Sequence, residues 1–145
     1  MVRLDCDDEA GALALVDAKQ MQRAIYNLLL NACQSARCTD GRREVALSIK
    51  AQDEMIALSV TDSGPGVAEH IRSSLFQPFV SNGKQSGTGL GLTLADAVAR
   101  EHGGAVTLVS SKRGETIFKL TLQREFPGKG TKVASERSAT GTRYL

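Results

Sequence analysis

Three short stretches of this chain hold residues whose types and spacing suit chemistry. The first is Asp62-Ser63-Gly64-Pro65-Gly66-Val67. A carboxylate there closes an apolar run that alternates with period two, Ile56 to Val60, and two glycines allow a sharp turn after it. That combination can hold a flat, hydrogen-bonding ligand such as a nucleobase, and it also makes a good surface turn. The second stretch is helical in pattern. Asn27 and Asn31 share one face, and Ser35 extends the polar stripe. Buried amides need hydrogen-bond partners, so the pair either pins a loop or offers an amide oxygen to Mg²⁺ beside phosphates. Magnesium takes oxygen ligands and keeps several waters, which suits a single neutral protein oxygen. The third stretch is Gly87-Thr88-Gly89-Leu90-Gly91-Leu92, at the mouth of an amphipathic helix. Glycines let backbone N–H groups approach phosphate oxygens, and the helix N-terminus adds its positive end. Lys84, in the loop before it, can reach the same phosphates.

Two other phosphate loops are excluded by the residues. A dinucleotide fingerprint needs a strand directly before its glycines and an acid at the end of the next strand. Here a polar loop precedes the glycines and no suitable acid follows. A Walker loop needs Gly-x-x-x-x-Gly-Lys-Ser/Thr. Pro78 stands where its first glycine belongs, and Gln85 where its hydroxyl belongs.

The elements that must position these groups are legible from periodicity. Val2 to Cys6 reads as an edge strand and Ala12 to Val16 as a second short strand. Asp17 is placed to cap a helix, with Gln20 completing a capping box. That helix runs to about Arg37, with Met21, Ile25, Leu28, Leu29 and Ala32 facing the core. Val45, Leu47 and Ile49, then Ile56, Leu58 and Val60, form a hairpin. Parity puts Asp62 on the same face as Ile56, Leu58 and Val60, the face expected to be covered by helices. A carboxylate there needs a partner. Val67 to Leu75 reads as a short helix, Val80 to Thr88 as a loop, and Leu90 to Glu101 as an amphipathic helix with Leu90, Leu94, Ala97 and Val98 on one side. Gly103-Gly104 ends it. A second hairpin joins Ala105–Ser111 to Thr116–Leu122. The expected fold is α/β (α+β), a two-layer sandwich of a mostly antiparallel mixed sheet with helices on one face. Residues 1–123 form the domain, and residues 124–145 are expected to be a flexible tail.

Composition narrows the partners. The 145 residues fit one domain, and 41% hydrophobic content supports a packed core. Aromatics make up 4% with no Trp, which argues against a base-stacking platform, and the net charge of +2 is too small to imply nucleic acid. Cys6, Cys33 and Cys38 have neither disulfide nor zinc spacing. No apolar run is long enough to span a bilayer, so no membrane contact is expected of this segment. The expected location is the cytoplasm, either free or as the cytosolic part of something larger.

Taken together, the motifs resemble sensor histidine kinases. Asn31 within Asn-Leu-Leu-Leu-Asn-Ala is similar to their N box, and Asp62 to Val67 to their first glycine box. Phe76-Gln77-Pro78-Phe79 is similar to the F box, and Gly87 to Leu92 to the second glycine box. Order and spacing agree, as does Glu101-His102-Gly103-Gly104 before the last hairpin. The resemblance spans roughly residues 12 to 122. It implies the Bergerat fold of the GHKL ATPase superfamily, with Mg-ATP bound between helices and a lid.

The resemblance also implies roles. Asp62 would accept from the adenine amine, Gly64 and Gly66 would shape the base pocket with Val67, and Thr116 would place a hydroxyl near the base. Asn31 would coordinate Mg²⁺, with Asn27 and Ser35 on its stripe and Asn27 supporting the phosphates. Gly87, Thr88, Gly89, Leu90 and Gly91 would close over the phosphates with Lys84. Val80 to Ser86 would be the lid, anchored by Phe76 and Phe79 unless these are plain core residues. The implied partners are a histidine-containing dimerisation domain and, through it, a response regulator.

The chain departs from the pattern in two ways. It contains no region resembling the phosphoacceptor domain: His70 sits on a short helix, and His102 suits charge–dipole placement at a helix C-terminus. Where ATP-hydrolysing relatives carry a glutamate base, this chain has Asn27, so slow intrinsic hydrolysis is expected. The rival functions are a stand-alone anti-sigma-type serine kinase and a nucleotide-dependent binding module.

Overall fold

A computed structural model of the chain describes residues 2–6, 14–80, 89–125 and 142–144. Five strands form one sheet in the order β1-β3-β4-β6-β5. They are β1 (Val2–Cys6), β3 (Val45–Gln52), β4 (Met55–Asp62), β5 (Val106–Lys112) and β6 (Glu115–Gln123). Only β1–β3 is parallel; the other three pairings are antiparallel. The sheet is mixed and mostly antiparallel, as expected.

Two helices cover one face: α1 (Ala18–Arg37) and α2 (Gly91–Glu101). The core lies between the layers. It joins Met21, Leu28 and Ala32 of α1 to Ile56, Leu58 and Val60 of β4 and to Phe118, Leu120 and Leu122 of β6. Ile25 and Leu29 pack against it, partly buried.

Asp17 ends the short strand β2 (Leu15–Asp17) and caps α1. Its Oδ1 accepts from the N–H groups of Lys19 at 3.0 Å and Gln20 at 3.1 Å, and Gln20 Nε2 donates to Oδ2 at 3.3 Å. The Gln20 N–H chiefly holds this carboxyl below its ordinary pKa. The strand expected at Ala12 to Val16 is therefore displaced toward the helix; Ala12 and Leu13 lie outside the described residues. β2 pairs antiparallel with β7 (Thr142–Tyr144), so part of the segment expected to be a tail meets the domain.

Helix α2 has the expected length but a different phase. Ala95, Asp96 and Ala99 are its buried residues, whereas Leu94 is 38% exposed and Ala97 is exposed. The small alanines let α2 lie against α1, and Leu90 and Leu94 line a cavity instead. Asp96 tolerates burial because both oxygens are used. Oδ1 accepts from Val106 N at 2.9 Å, and Oδ2 from Arg100 Nε at 2.7 Å. The carboxylate thus ties α2 to the start of β5. The segment expected as a helix from Val67 to Leu75 is a 3₁₀ helix over Glu69–Ser74.

Candidate functional site

β4 and β6 bring Asp62 and Thr116 together as direct cross-strand partners. Both side chains point under the helices, and each residue is 1% exposed. The parity argument for Asp62 holds, and Thr116 shares the buried face of β6 with Phe118 and Leu120. Asp62 Oδ1 accepts from Gly64 N at 2.8 Å. The Thr116 Oγ1 is buried and makes no hydrogen bond among the described residues.

The glycines after Asp62 answer to close packing. A Cβ on Gly64 would lie 2.1 Å from Ser35 Oγ and 2.6 Å from Asp62 Oδ1, so only glycine lets this turn press against α1. Gly66 has φ +87°, a conformation that favours glycine. The turn is anchored on both sides. Ser63 Oγ donates to Arg42 O at 2.6 Å and accepts from Glu44 N at 2.8 Å. Val67 N donates to Ser111 Oγ at 2.8 Å, and Arg72 donates to Val67 O and Ser111 O, both at 3.1 Å.

These elements enclose a cavity of about 420 Å³, within the range of small-molecule sites. Its lining brings together Asn27, Asn31, Ser35, Asp62, Gly66, Val67, Gly89, Leu90, Gly91 and Thr116 of the expected site. Gly64 is not among the lining residues; it stands behind Asp62 and positions it. Lys84, Gly87 and Thr88 lie outside the described residues. Gly91 sits over Asn27, with a Cβ position 3.7 Å from Asn27 Cβ. Asn27 Nδ2 is buried without a hydrogen-bond partner among the described residues. Two buried polar groups, Asn27 Nδ2 and Thr116 Oγ1, thus border one cavity with no partner among the described residues, the state expected of groups that await a ligand.

Phe79 N donates to Gly89 O at 3.1 Å. A Cβ on Gly89 would fall 2.7 Å from Phe79 C, so glycine is required for that approach. The two phenylalanines differ. Phe76 packs partly buried against the core, whereas Phe79 is 77% exposed with φ +65°.

His102 has a partner at each ring nitrogen. Its Nε2 accepts from Asp17 N at 3.0 Å, and its Nδ1 lies 2.7 Å from Val98 O. It joins the C-terminus of α2 to the N-terminus of α1. His70 is exposed on the 3₁₀ helix.

The cavity also contains a residue that sequence reasoning passed over. Arg23 lines it, one helical turn before Asn27. Its position in the Asn27–Asn31–Ser35 stripe was the available signal. Among the described residues no cluster of three or more His, Cys, Asp or Glu is placed to hold a metal, and no helix is long and apolar enough to cross a membrane.

Comparison with known proteins agrees with this geometry. Sensory histidine kinase/phosphatase NtrB of Rhodobacter capsulatus is 37% identical over 118 residues, and sensor protein FixL of Bradyrhizobium diazoefficiens is 32% identical over 115. The matches cover 74% and 79% of this chain but 33% and 23% of those proteins, so the chain spans a third or less of these relatives. Among solved structures, the catalytic domain of histidine kinase ThkA superposes with TM-score 0.71 at 22% identity, covering 85% of this chain and 78% of that one. Full-length ShkA in complex with AMPPNP gives 0.66 at 25% identity, covering 85% of this chain and 26% of that one. Residues 16–126 match the family described as histidine kinase-, DNA gyrase B-, and HSP90-like ATPase, and the chain belongs to that family of ATPase domains.

Proposed function

We propose that this chain is the Mg-ATP-binding catalytic domain of a two-component sensor histidine kinase. It would position ATP so that the γ-phosphoryl group passes to a histidine on a dimerisation domain, and from there to a response regulator. The observation that carries this reading is the cavity with Asp62 and Thr116 at one end and Asn27 and Asn31 along its wall. Two of its polar atoms have no partner among the described residues.

Asp62 is an acceptor held rigid by Gly64 N, which suits an exocyclic amine and rejects a carbonyl at the same position. Thr116 adds a hydroxyl that can donate or accept beside it. Asn27 Nδ2 is a buried donor suited to a phosphate oxygen. Asn31 offers a neutral oxygen from the same face of α1, so these residues fit magnesium bound beside phosphates. The metal would neutralise phosphate charge and polarise the terminal phosphoryl group. Asn27 cannot accept a proton from water, so the domain should hold ATP with little hydrolysis. In transfer, the bond between the γ-phosphorus and the β–γ bridging oxygen breaks, a P–N bond to imidazole forms, and ADP leaves. A cytoplasmic setting, where Mg-ATP is abundant, fits this role.

Calorimetric titration with Mg-ATP, ADP and GTP provides the test. The adenine nucleotides should bind and GTP should not, and Asn31→Ala should weaken Mg-ATP more than metal-free ATP. Normal Mg-ATP binding by both Asn31→Ala and Asp62→Asn would refute the site. Labelled ATP mixed with acceptor domains should give an acid-labile phosphohistidine; an acid-stable label would indicate a serine kinase.

A further inference from the structure

Arg23 carries an inference that deepens this reading and rests on it. Among the described lining residues of the cavity, the charged ones are Asp62 and Arg23, and they have opposite signs. Helix α1 separates them. Its Ser35 packs on Gly64, next to Asp62, and its Asn27 lies under Gly91 at the start of α2. At a rise of about 1.5 Å per residue, Asn27 lies ~12 Å and Arg23 ~18 Å along the helix from Ser35. The stripe therefore runs from the acidic end of the cavity, past the buried Asn27 amide, to a guanidinium.

The Arg23 side chain is exposed at the cavity rim, makes no hydrogen bond or ion pair among the described residues, and stands one turn from the buried Asn27 amide. An arginine on a solvated helix face needs no cavity and no particular neighbour. This one borders a cavity whose other end accepts an amine and whose wall offers a donor. A ligand with an amine-bearing base and a chain of anionic groups matches that order of charges.

We infer that Arg23 is a binding residue for the distal phosphates of the nucleotide, and that it makes the site prefer the triphosphate. The guanidinium supplies charge-assisted hydrogen bonds to phosphate oxygens, which a base or ribose cannot use.

The test compares ATP, ADP and adenosine, each titrated calorimetrically in the presence of Mg²⁺. The unaltered 145-residue chain is set beside R23A, R23K and K19A, with circular dichroism to confirm folding. R23A should weaken ATP about tenfold (~1.4 kcal/mol), ADP less, and adenosine not at all. R23K should recover part of the loss. Lys19 is exposed one turn further out and does not line the cavity, so K19A should keep the ATP-to-adenosine ratio of the unaltered chain. Equal weakening of all three ligands by R23A, no effect of R23A, or an equal effect of K19A would each overturn the assignment. If the unaltered chain binds none of the three ligands, the nucleotide site itself is wrong and Arg23 falls with it. If adenosine binds and R23A leaves ATP unchanged, only the Arg23 assignment fails.

Discussion

Replacing Thr116 by Val should stabilise the free domain and weaken its ligand. Val has nearly the shape of Thr and lacks only the hydroxyl. In the free domain that hydroxyl is buried on β6 without a partner among the described residues, in a residue 1% exposed. A buried unsatisfied polar group costs about 1–3 kcal/mol. Water in the open cavity can offset part of that cost, so the lower end applies and T116V should gain about 1 kcal/mol. In a domain of this size that is a rise of about 4 °C in Tm. The nucleotide-bound state should respond in the opposite direction, because the lost hydrogen bond contributes about 0.5–1.5 kcal/mol. Affinity should then fall about two- to twelvefold. Differential scanning calorimetry without and with ATP reads both effects on one sample. A lower Tm in the absence of ligand, together with unchanged ATP affinity, would show that Thr116 is an ordinary core hydroxyl and refute the reasoning. A cycle with Asp62→Asn should show coupling in the binding term, since the two residues are direct cross-strand partners.

Gly104→Ala should destabilise severely, because the new Cβ would lie 1.9 Å from Thr121 O, a backbone atom that cannot move alone; a Tm within about 2 °C of the unaltered chain, roughly what a sub-kcal change gives, would contradict the packing. Asp17 has its pKa lowered in the fold, first by the Gln20 N–H, so its stabilisation is fully present above its ordinary pKa of 3.8 and is lost as pH falls through the lower folded value. The Tm gap between the unaltered chain and D17A should therefore shrink below about pH 4; a gap constant down to low pH would exclude the carboxylate as the cap. His102→Ala should lower Tm by removing the link from Asp17 N to α2, while His102→Gln, which can still offer an acceptor, should lower it less. Equal losses would show that packing and not the hydrogen bond matters there.

Much of the site was legible because it rests on local periodicities. Strand parity alone turns Asp62 and Thr116 toward the helices, and spacing by fours alone puts Asn27, Asn31 and Ser35 on one face. Three things were not legible. The phase of α2 was misjudged because hydropathy sends Leu94 inward, whereas the fold buries Ala95, Ala99 and a carboxylate, Asp96. No local pattern announces that Asp96 will find Val106 N and Arg100 Nε. His102 was assigned a charge role from its place at a helix end, but its partner Asp17 is 85 residues away in sequence. The β2–β7 pairing is likewise long-range and leaves no sign in a stretch poor in apolar residues. Such contacts depend on tertiary placement, which a window of neighbours cannot contain.

The distribution of unsatisfied groups separates the framework from the site. Where polar side chains serve the framework, they are fully used: Asp96 binds two donors, Ser63 ties two backbone groups, and Ser111 holds Val67. Asn27 Nδ2, Thr93 Oγ1 and Thr116 Oγ1 are buried without a partner among the described residues. Two of these line the cavity, and Thr93 lies on α2 between cavity-lining Leu92 and Leu94. A sequence that satisfies its core elsewhere but leaves donors idle around one hollow has placed its local inconsistencies where a ligand can resolve them. The consequence is energetic as well as geometric. Nucleotide binding should raise Tm through mass action, by RT ln(1 + [L]/Kd). It should also quiet both helices together, because α1 carries the asparagines, α2 begins at Gly91 over Asn27, and His102 joins the far end of α2 to the start of α1. Hydrogen exchange should therefore slow at the Asp17–Gln20 cap on adding ATP, although the cap lies outside the cavity lining. Protection confined to the lining would mean that the histidine link does not couple the two ends.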